Sequence, residues 1–268
     1  MVTLPVPGRL EHLKRSIADY CWQTHAMREL VIVMDAGIAA CRLAIRSCVL
    51  SLGRHDIRVV DPSGGLSLGA LRNISVGEAR GDVLCQWDDD DRYHPGRIVR
   101  QLSKLQGSGT IAVFLDEVMH LFPQSGRLYL LNWRATPTTV DPSTLMCLRA
   151  AEPCYPEAGD EARLGEDRVV LQQLKGLGEC RALSGEPHLY VYTAHGANTC
   201  SDDHHRMLAE RMAVTRGLLL RREAVLRAGL GPFDFGRGGC AVYGSNGPAF
   251  SLERFQPDWK DQTVLKTL

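Results

Sequence analysis

Four consecutive carboxylates, Asp88, Asp89, Asp90 and Asp91, follow the apolar run Val83-Leu84-Cys85-Gln86-Trp87. The run reads as a buried strand, which places the carboxylates at a strand end. Four like charges this close repel one another unless a cation sits among them or water surrounds them all. Hard divalent cations such as Mg2+ and Mn2+ take oxygen ligands and bridge to phosphate. The chemistry implied is a metal-assisted site for a phosphorylated ligand; the plainer alternative is a solvated acidic turn. Two more carboxylates close apolar runs, Asp35 after residues 30–34 and Asp61 after residues 57–60.

The elements that must position these groups alternate. Strands are expected at 2–4, 30–34, 57–60 and 83–87. Helices are expected between them, with Leu10, Leu13, Ile17, Tyr20 and Cys21 at helical spacing, then 38–52, 68–79 and 95–105. Continuous apolar strands separated by helices indicate a parallel sheet covered on both faces. Such sheets bind ligands beyond the carboxyl ends of their strands, where Asp35, Asp61 and Asp88 to Asp91 all fall. Neither GxGxxG nor GxxxxGK[ST] is present, so the dinucleotide and P-loop readings lack their motifs. From Thr110 the pattern shifts to strands at 111–115, 127–131 and 144–148, expected as antiparallel additions. A helix over 167–174, a strand over 189–192 and helices over 204–212 and 218–228 follow; the Gly- and Pro-rich tail from Gly229 carries no assignable pattern.

The 268 residues suit one large α/β domain or one with a smaller appendage. Lys plus Arg and Asp plus Glu both total 31, which disfavours nucleic acid as a partner. No apolar run approaches the roughly 18 residues of a membrane span, and the first residues lack a signal-peptide pattern. The nine cysteines are odd in number, scattered and without a CxxC pair. They read as free thiols of a cytoplasmic protein, and zinc is disfavoured by their spacing.

Several motifs together resemble the family 2 glycosyltransferases of GT-A fold. Leu71-Arg72-Asn73, Gly81-Asp82-Val83, Asp88 to Asp91 and Pro95 are similar to that family's ARN…G(D/E)…DxDD…P signature. Thr3, Pro5 and Arg9 resemble its opening TP..R segment, and Gln23-Thr24 with Glu29 to Val33 and Asp35 its Q…ELVVVDD segment, although Ala36 stands where a second acid is usual. Gly165-Glu166-Asp167 resembles its ED motif. The resemblance covers roughly residues 2–175, about one α/β domain.

The resemblance implies a GT-A, Rossmann-like α/β fold: a mostly parallel sheet flanked by helices, with antiparallel additions and a helical C-terminal extension. Residues 1–200 would form the transferase domain, with a nucleotide-sugar half to about 105 and an acceptor half from about 106; residues 201–268 would form the extension. It implies a metal-dependent, inverting transfer from a nucleotide-diphosphate sugar, with uridine the expected base and Mn2+ or Mg2+ the cofactor. Asp90 would be the direct metal ligand, Asp91 a second or water-mediated one, and His195 a further one or a plain hydrogen-bonding residue. Asp88 would lie near the ribose and metal; Asp89 is grouped with the nucleotide-sugar residues but expected to point away by strand alternation.

Asp35 would accept from base or ribose, or cap the helix after it. Thr3 and Pro5 would shape the base pocket, with Arg9 beside them. Arg72 would fix the diphosphate or tie down the acids. Asp61 would be a third strand-end acid or an Asp-Pro turn. Asp167 would be the general base, with Glu166 its runner-up; a helix dipole also favours acids there. His204 and His205 point apart on their helix, with residues 201–203 as its cap region. Trp87, Trp133 and Tyr93 would stack on ligand or pack in the core, and Phe250, Phe255 and Trp259 would form a lid or acceptor surface.

The acceptor is a saccharide, lipid-linked, peptide or natural-product group, and contact with a membrane surface is left open. Two rivals remain: a sugar-phosphate nucleotidyltransferase, disfavoured by the short, Gly-poor Pro5-Val-Pro-Gly-Arg9 segment, and an inactive nucleotide-binding GT-A module.

Overall fold

In the computed structural model, residues 1–62, 64–107, 109–235 and 239–253 are described. The first half alternates as its pattern requires: β1 (Val2–Thr3), α1 (Pro7–Cys21), β2 (Leu30–Met34), α2 (Ala39–Ser51), β3 (Ile57–Val60) and α3 (Leu68–Glu78). The three strands pair in parallel, with Val2 opposite Val33 and Leu30 opposite Ile57. All five residues of β2 are buried, as expected for a strand covered on both faces. Pro7 sits in the first turn of α1, where a missing N–H costs nothing. Ser67 caps α3 by accepting from the Ala70 N–H at 3.2 Å.

The chain then runs through β4 (Val83–Cys85), β5 (Arg92–Tyr93), α4 (Arg97–Leu105), β6 (Thr110–Leu115), β7 (Glu117–Phe122), β8 (Arg127–Asn132) and β9 (Asp141–Leu148). It continues with α5 (Glu166–Leu177), β10 (Glu179–Leu183), β11 (Tyr190–Thr193), α6 (Asp202–Met212), α7 (Arg216–Arg221), α8 (Glu223–Leu230), β12 (Cys240–Gly244) and β13 (Gly247–Leu252). Two further sheets result, ordered β10-β6-β9-β4 and β13-β12-β8-β7-β11-β5. β6 and β7 are separated only by Asp116, so one continuous stretch of chain serves both sheets.

The mixed α/β architecture, with a parallel sheet, antiparallel additions and late helices, is the one expected. Four details differ. The fourth strand ends at Cys85 and pairs antiparallel with β9 (Val83 opposite Leu148) instead of extending the parallel stack. The stretch 218–228 is broken at Arg222 into α7 and α8. β7 and β10 were hidden, the first because it abuts β6 and the second because its alternation is weak. The tail folds into the β12–β13 hairpin, which pairs in parallel with β8 (Ala241 opposite Arg127); Phe250 lies in β13, and Phe255 and Trp259 lie outside the described residues.

All nine cysteines are free. Trp87 and Tyr93 are buried in the main apolar core, and Trp133 packs against it. Among the described residues no helix is long and apolar enough to cross a membrane.

Candidate active site

The acidic loop is the crossing between sheets. It leaves β4 at Cys85 and enters the six-stranded sheet at β5, where Tyr93 lies opposite Tyr190 of β11. Tyr93 Oη accepts from the Asp88 N–H at 2.5 Å and donates to the Asp88 carbonyl at 3.0 Å. One stripe of α1 supports the same loop. Arg9, His12, Ser16 and Asp19 are spaced by three, four and three residues and so share a helix face. Ser16 Oγ donates to the Asp88 carbonyl at 2.9 Å and accepts from Trp87 Nε1 at 3.0 Å. Asp19 accepts from Arg92 Nε at 2.7 Å and from the Tyr93 N–H at 2.9 Å.

The four carboxylates have four environments. Asp88 Oδ1 accepts from Arg72 Nη1 at 3.0 Å. Asp89 is buried, not turned outward: Thr3 Oγ1 donates to Oδ2 at 2.6 Å and Arg9 Nη2 to Oδ1 at 2.5 Å. Strand alternation does not reach it because the strand stops four residues earlier. Burial, helped by the charge of Asp90 and opposed by Arg9, pushes its carboxyl up to about 6. Asp91 is equally buried and both oxygens are taken, Oδ2 by the Tyr190 hydroxyl and Oδ1 by the Thr193 N–H at 2.8 Å. Burial and then the charges of Asp90 and Asp88 raise it well above the usual range.

Asp90 gathers side chains from α1 and from the loop after β11 on one oxygen. Its Oδ2 lies 3.0 Å from His195 Nε2, 2.8 Å from Arg9 Nη2 and 3.4 Å from Asn198 Nδ2. Burial works against ionisation, but the bond to His195 and the Arg9 charge outweigh it and hold the carboxyl below its usual value. Asn198 also accepts from the His195 N–H at 2.8 Å, and His12 stacks on the His195 ring at 4.4 Å. Among the described residues no group of three or more His, Cys, Asp and Glu side chains is arranged to hold a metal by itself.

Across the loop, Arg72 Nε donates to Glu166 Oε1 at 2.9 Å, so this one guanidinium ties Asp88 to the start of α5. Its neighbour Asn73 anchors the facing segment, donating to the Tyr155 carbonyl at 2.9 Å and accepting from the Tyr155 N–H at 2.8 Å. Gly69 permits this approach, since a Cβ there would meet the Pro156 carbonyl at 1.8 Å. Glu166 is buried and committed to Arg72. Asp167 is partly exposed; its Oδ1 accepts from the next N–H, of Arg168, at 2.7 Å. Burial first, then Glu166, push its carboxyl up to about 7 against the pull of Arg72, with Asp141 and Asp88 adding to the rise. An acid raised to about 7 is the kind of group that general acid–base chemistry uses.

The remaining positions are placed as follows. Pro5 accepts from the Ile38 N–H at 2.9 Å, joining the ends of β1 and β2. Asp35 is not a helix cap; its side chain accepts from the next N–H, of Ala36, at 2.6 Å, and α2 begins at Ala39 with Ile38 at the cap position and no side-chain cap. Asp61 is ion-paired to Arg42 and, at 2.6 Å, to Arg46, both on α2. Ser201 caps α6 by accepting from the His204 N–H. Sequence reasoning missed His12, Asn198 and the buried Asp141. The i,i+3 spacing of Arg9 and His12 was the available signal for the first; the others depend on contacts across the fold.

The sequence model of glycosyl transferase family 2 matches residues 2–127. No curated protein matches the chain. The fold is similar to that of S. aureus TarS 1–349 in complex with UDP, at 14% identity and TM-score 0.57, covering 85% of this chain and 74% of that one. It is similar to the mannosyltransferase PcManGT from Pyrobaculum calidifontis in complex with GDP-Man and Mn2+, at 13% identity and TM-score 0.56, covering 85% and 61%. It is also similar to GalNAc-T7 with UDP, GalNAc and Mn2+, at 13% identity and TM-score 0.52, covering 69% and 41%. The chain thus spans less than two thirds of the latter two, and 59% of TarS 1–349 in a further structure. The matched residues 2–127 contain Thr3, Arg9, Arg72 and the whole acidic loop, so it is the donor-side half of the sequence that is similar to the family 2 glycosyltransferases.

Proposed function

We propose that the protein transfers a glycosyl group from a nucleotide-diphosphate sugar to an acceptor hydroxyl or comparable nucleophile with inversion, assisted by a divalent cation. The observation that carries this reading is the 3.0 Å approach of His195 Nε2 to Asp90 Oδ2, with Asp167 raised to about 7 by burial and then by Glu166. Asp90 Oδ2 and His195 Nε2, an oxygen and a nitrogen donor side by side, would hold the divalent cation from the protein side. Two protein ligands leave room for diphosphate oxygens and water, the usual arrangement for Mn2+ or Mg2+ with phosphorylated substrates. When bound, the metal would supply Lewis-acid neutralisation of the charge developing on the leaving diphosphate. The Mn2+ complexes of the similar PcManGT and GalNAc-T7 support the same choice.

The chain's own groups do the rest. Asp90 and His195 hold the cation side of the donor. Arg9, anchored on Asp89, has Nη1 near the Ala197 carbonyl at 3.4 Å and is placed to meet a phosphate oxygen. Thr3, Pro5, Asp35 and Asp88 line the nucleotide side. Asp167 takes the acceptor proton as the acceptor oxygen bonds to the anomeric carbon and the bond to the diphosphate breaks. Glu166 and Arg72 tune its proton affinity through their charges, the first raising and the second lowering it. Asp91 serves the fold of the loop, and Asp61 the packing of α2. In this reading residues 1–105 hold the donor, 106–200 supply the acceptor side, and 201–268 extend the domain; uridine is the favoured base.

Calorimetric titration with UDP and GDP, with and without Mn2+, tests the site. The expected result is binding of one nucleotide that strengthens at least tenfold with Mn2+ and loses that gain in Asp90→Ala. Binding indifferent to metal would overturn the metal assignment, and binding of neither nucleotide would overturn the donor.

A further inference from the structure

Arg97 opens α4 and is completely buried. Its guanidinium carbon lies 4.7 Å from the ring centroid of Tyr93, 5.4 Å from that of Tyr190 and 5.5 Å from that of Trp87. Nε donates to Gln101 Oε1 at 3.0 Å. Among the described residues, Nη1 and Nη2 have no hydrogen-bond partner. Burying a guanidinium with these N–H groups unsatisfied is expensive, and an apolar side chain of similar volume would suit stability better. Three aromatic faces recover part of the cost.

The same aromatic residues hold the acidic loop by their other ends. Tyr93 Oη grips the Asp88 backbone at both its N–H and its carbonyl. The Tyr190 hydroxyl donates to the Asp91 carboxylate, at the far end of the loop. Trp87 immediately precedes the loop, stacks on Tyr93 at 3.8 Å and is fixed through Nε1 to Ser16. Burial disfavours the charged guanidinium, and the neighbouring Cys85, Tyr93, Tyr190 and, last, Asp88 favour it.

We propose that Arg97 is a positioning residue for the Asp88–Asp91 loop: its cation gathers the faces of Trp87, Tyr93 and Tyr190, which aims the two tyrosine hydroxyls at the two ends of the loop, and its charge balances the carboxylates from the protein side. It touches no ligand and acts through the tyrosines. Only the metal-binding arm of its test rests on the proposed function.

The experiment compares Arg97→Met, which keeps length and removes charge, and Arg97→Lys, which keeps charge, with Leu105→Ala at the other end of α4 as a stability control. Hydrogen exchange is followed without ligand in peptides covering 86–93 and 188–195, and Mn2+ affinity is titrated separately. Arg97→Met is expected to speed exchange in both segments and weaken Mn2+ binding, each at least tenfold, with Arg97→Lys recovering a substantial part. Leu105→Ala, at equal or greater loss of melting temperature, is expected to change neither.

Exchange in Arg97→Met no faster than in Leu105→Ala, or Arg97→Lys no better than Arg97→Met, would overturn the proposal. Should Arg97→Met not fold, Tyr93→Phe decides: the ring face is kept and only the hydroxyl lost, so exchange in 86–93 must rise, and exchange at the wild-type rate would overturn it. A wild-type protein that binds no Mn2+ would defeat the metal reading of the site and leave the exchange arm to judge Arg97.

Discussion

His195 and Asp90, 105 positions apart in the chain, meet at 3.0 Å between Nε2 and Oδ2. The contact joins the loop after β11 to the loop after β4, and Asn198 Nδ2 of the same loop approaches the same oxygen at 3.4 Å. Asp90→Ala should abolish measurable Mn2+ binding, and His195→Ala should weaken it by about tenfold or more, in the range that loss of a site-organising group costs. Competition of each variant with a Mn2+-sensitive dye checks both. Unchanged affinity in both variants would move the metal elsewhere.

His12 supports this pair from α1, its ring stacked on His195 at 4.4 Å and packed one turn from Arg9. His12→Ala should weaken Mn2+ binding by roughly tenfold, the scale for groups that orient a metal ligand. His12→Phe keeps the stacking face and should recover most of the loss. The same dye competition, with a thermal melt to confirm folding, reads the difference.

Asp167 gives a pH dependence of definite sign. Its carboxyl is raised to about 7 in the folded protein by burial and by Glu166, above its ordinary value of 3.8. A raised acid costs nothing while both states are protonated. It destabilises the fold progressively as pH climbs from the unfolded value through about 7, because the native site must then hold a charge it disfavours. Asp167→Asn removes this effect, so its melting temperature relative to wild type should rise between pH 5 and pH 8. Its turnover should fall by about 10²-fold or more. Wild-type turnover should increase through pH 7 as the base ionises, and the asparagine variant should lose that limb. A flat difference in melting temperature would contradict the raised carboxyl of Asp167.

Arg72 and Asp61 separate a site ion pair from a surface one. Arg72 is the shared partner of Asp88 and Glu166, with side-chain exposures of 13%, 19% and 6%. Arg72→Met strands two acids and should cost about 3–5 kcal/mol in urea unfolding. Asp61→Asn loses contacts with Arg42 and the more exposed Arg46 and should cost about 1 kcal/mol or less, without effect on nucleotide affinity. A nucleotide-binding defect in Asp61→Asn would return that residue to the site.

The sequence carried the parts of this site that local pattern can encode. The apolar run before four acids located the loop, and the resemblance to family motifs singled out Arg72-Asn73 and Glu166-Asp167. Asp89 was misjudged because alternation was extended past Cys85, and where β4 stops depends on antiparallel pairing with Leu148 and Met146 of β9. His12 was passed over because the helical spacing of α1 was read for its apolar face alone. Asn198, Tyr190 and Asp141 reach the site from segments tens of residues away, and no local signal marks such contacts. The β12–β13 hairpin was hidden by the glycines that shape its turn, including Gly247 at φ 121°.

The most direct test is release of nucleotide from a panel of UDP- and GDP-sugars, assayed with Mn2+, with Mg2+ and with EDTA, for wild type, Asp90→Ala and Asp167→Asn. The account predicts slow metal-dependent release from one donor, lost in EDTA and in Asp90→Ala and strongly reduced in Asp167→Asn. Release that persists in EDTA and in Asp90→Ala would contradict it.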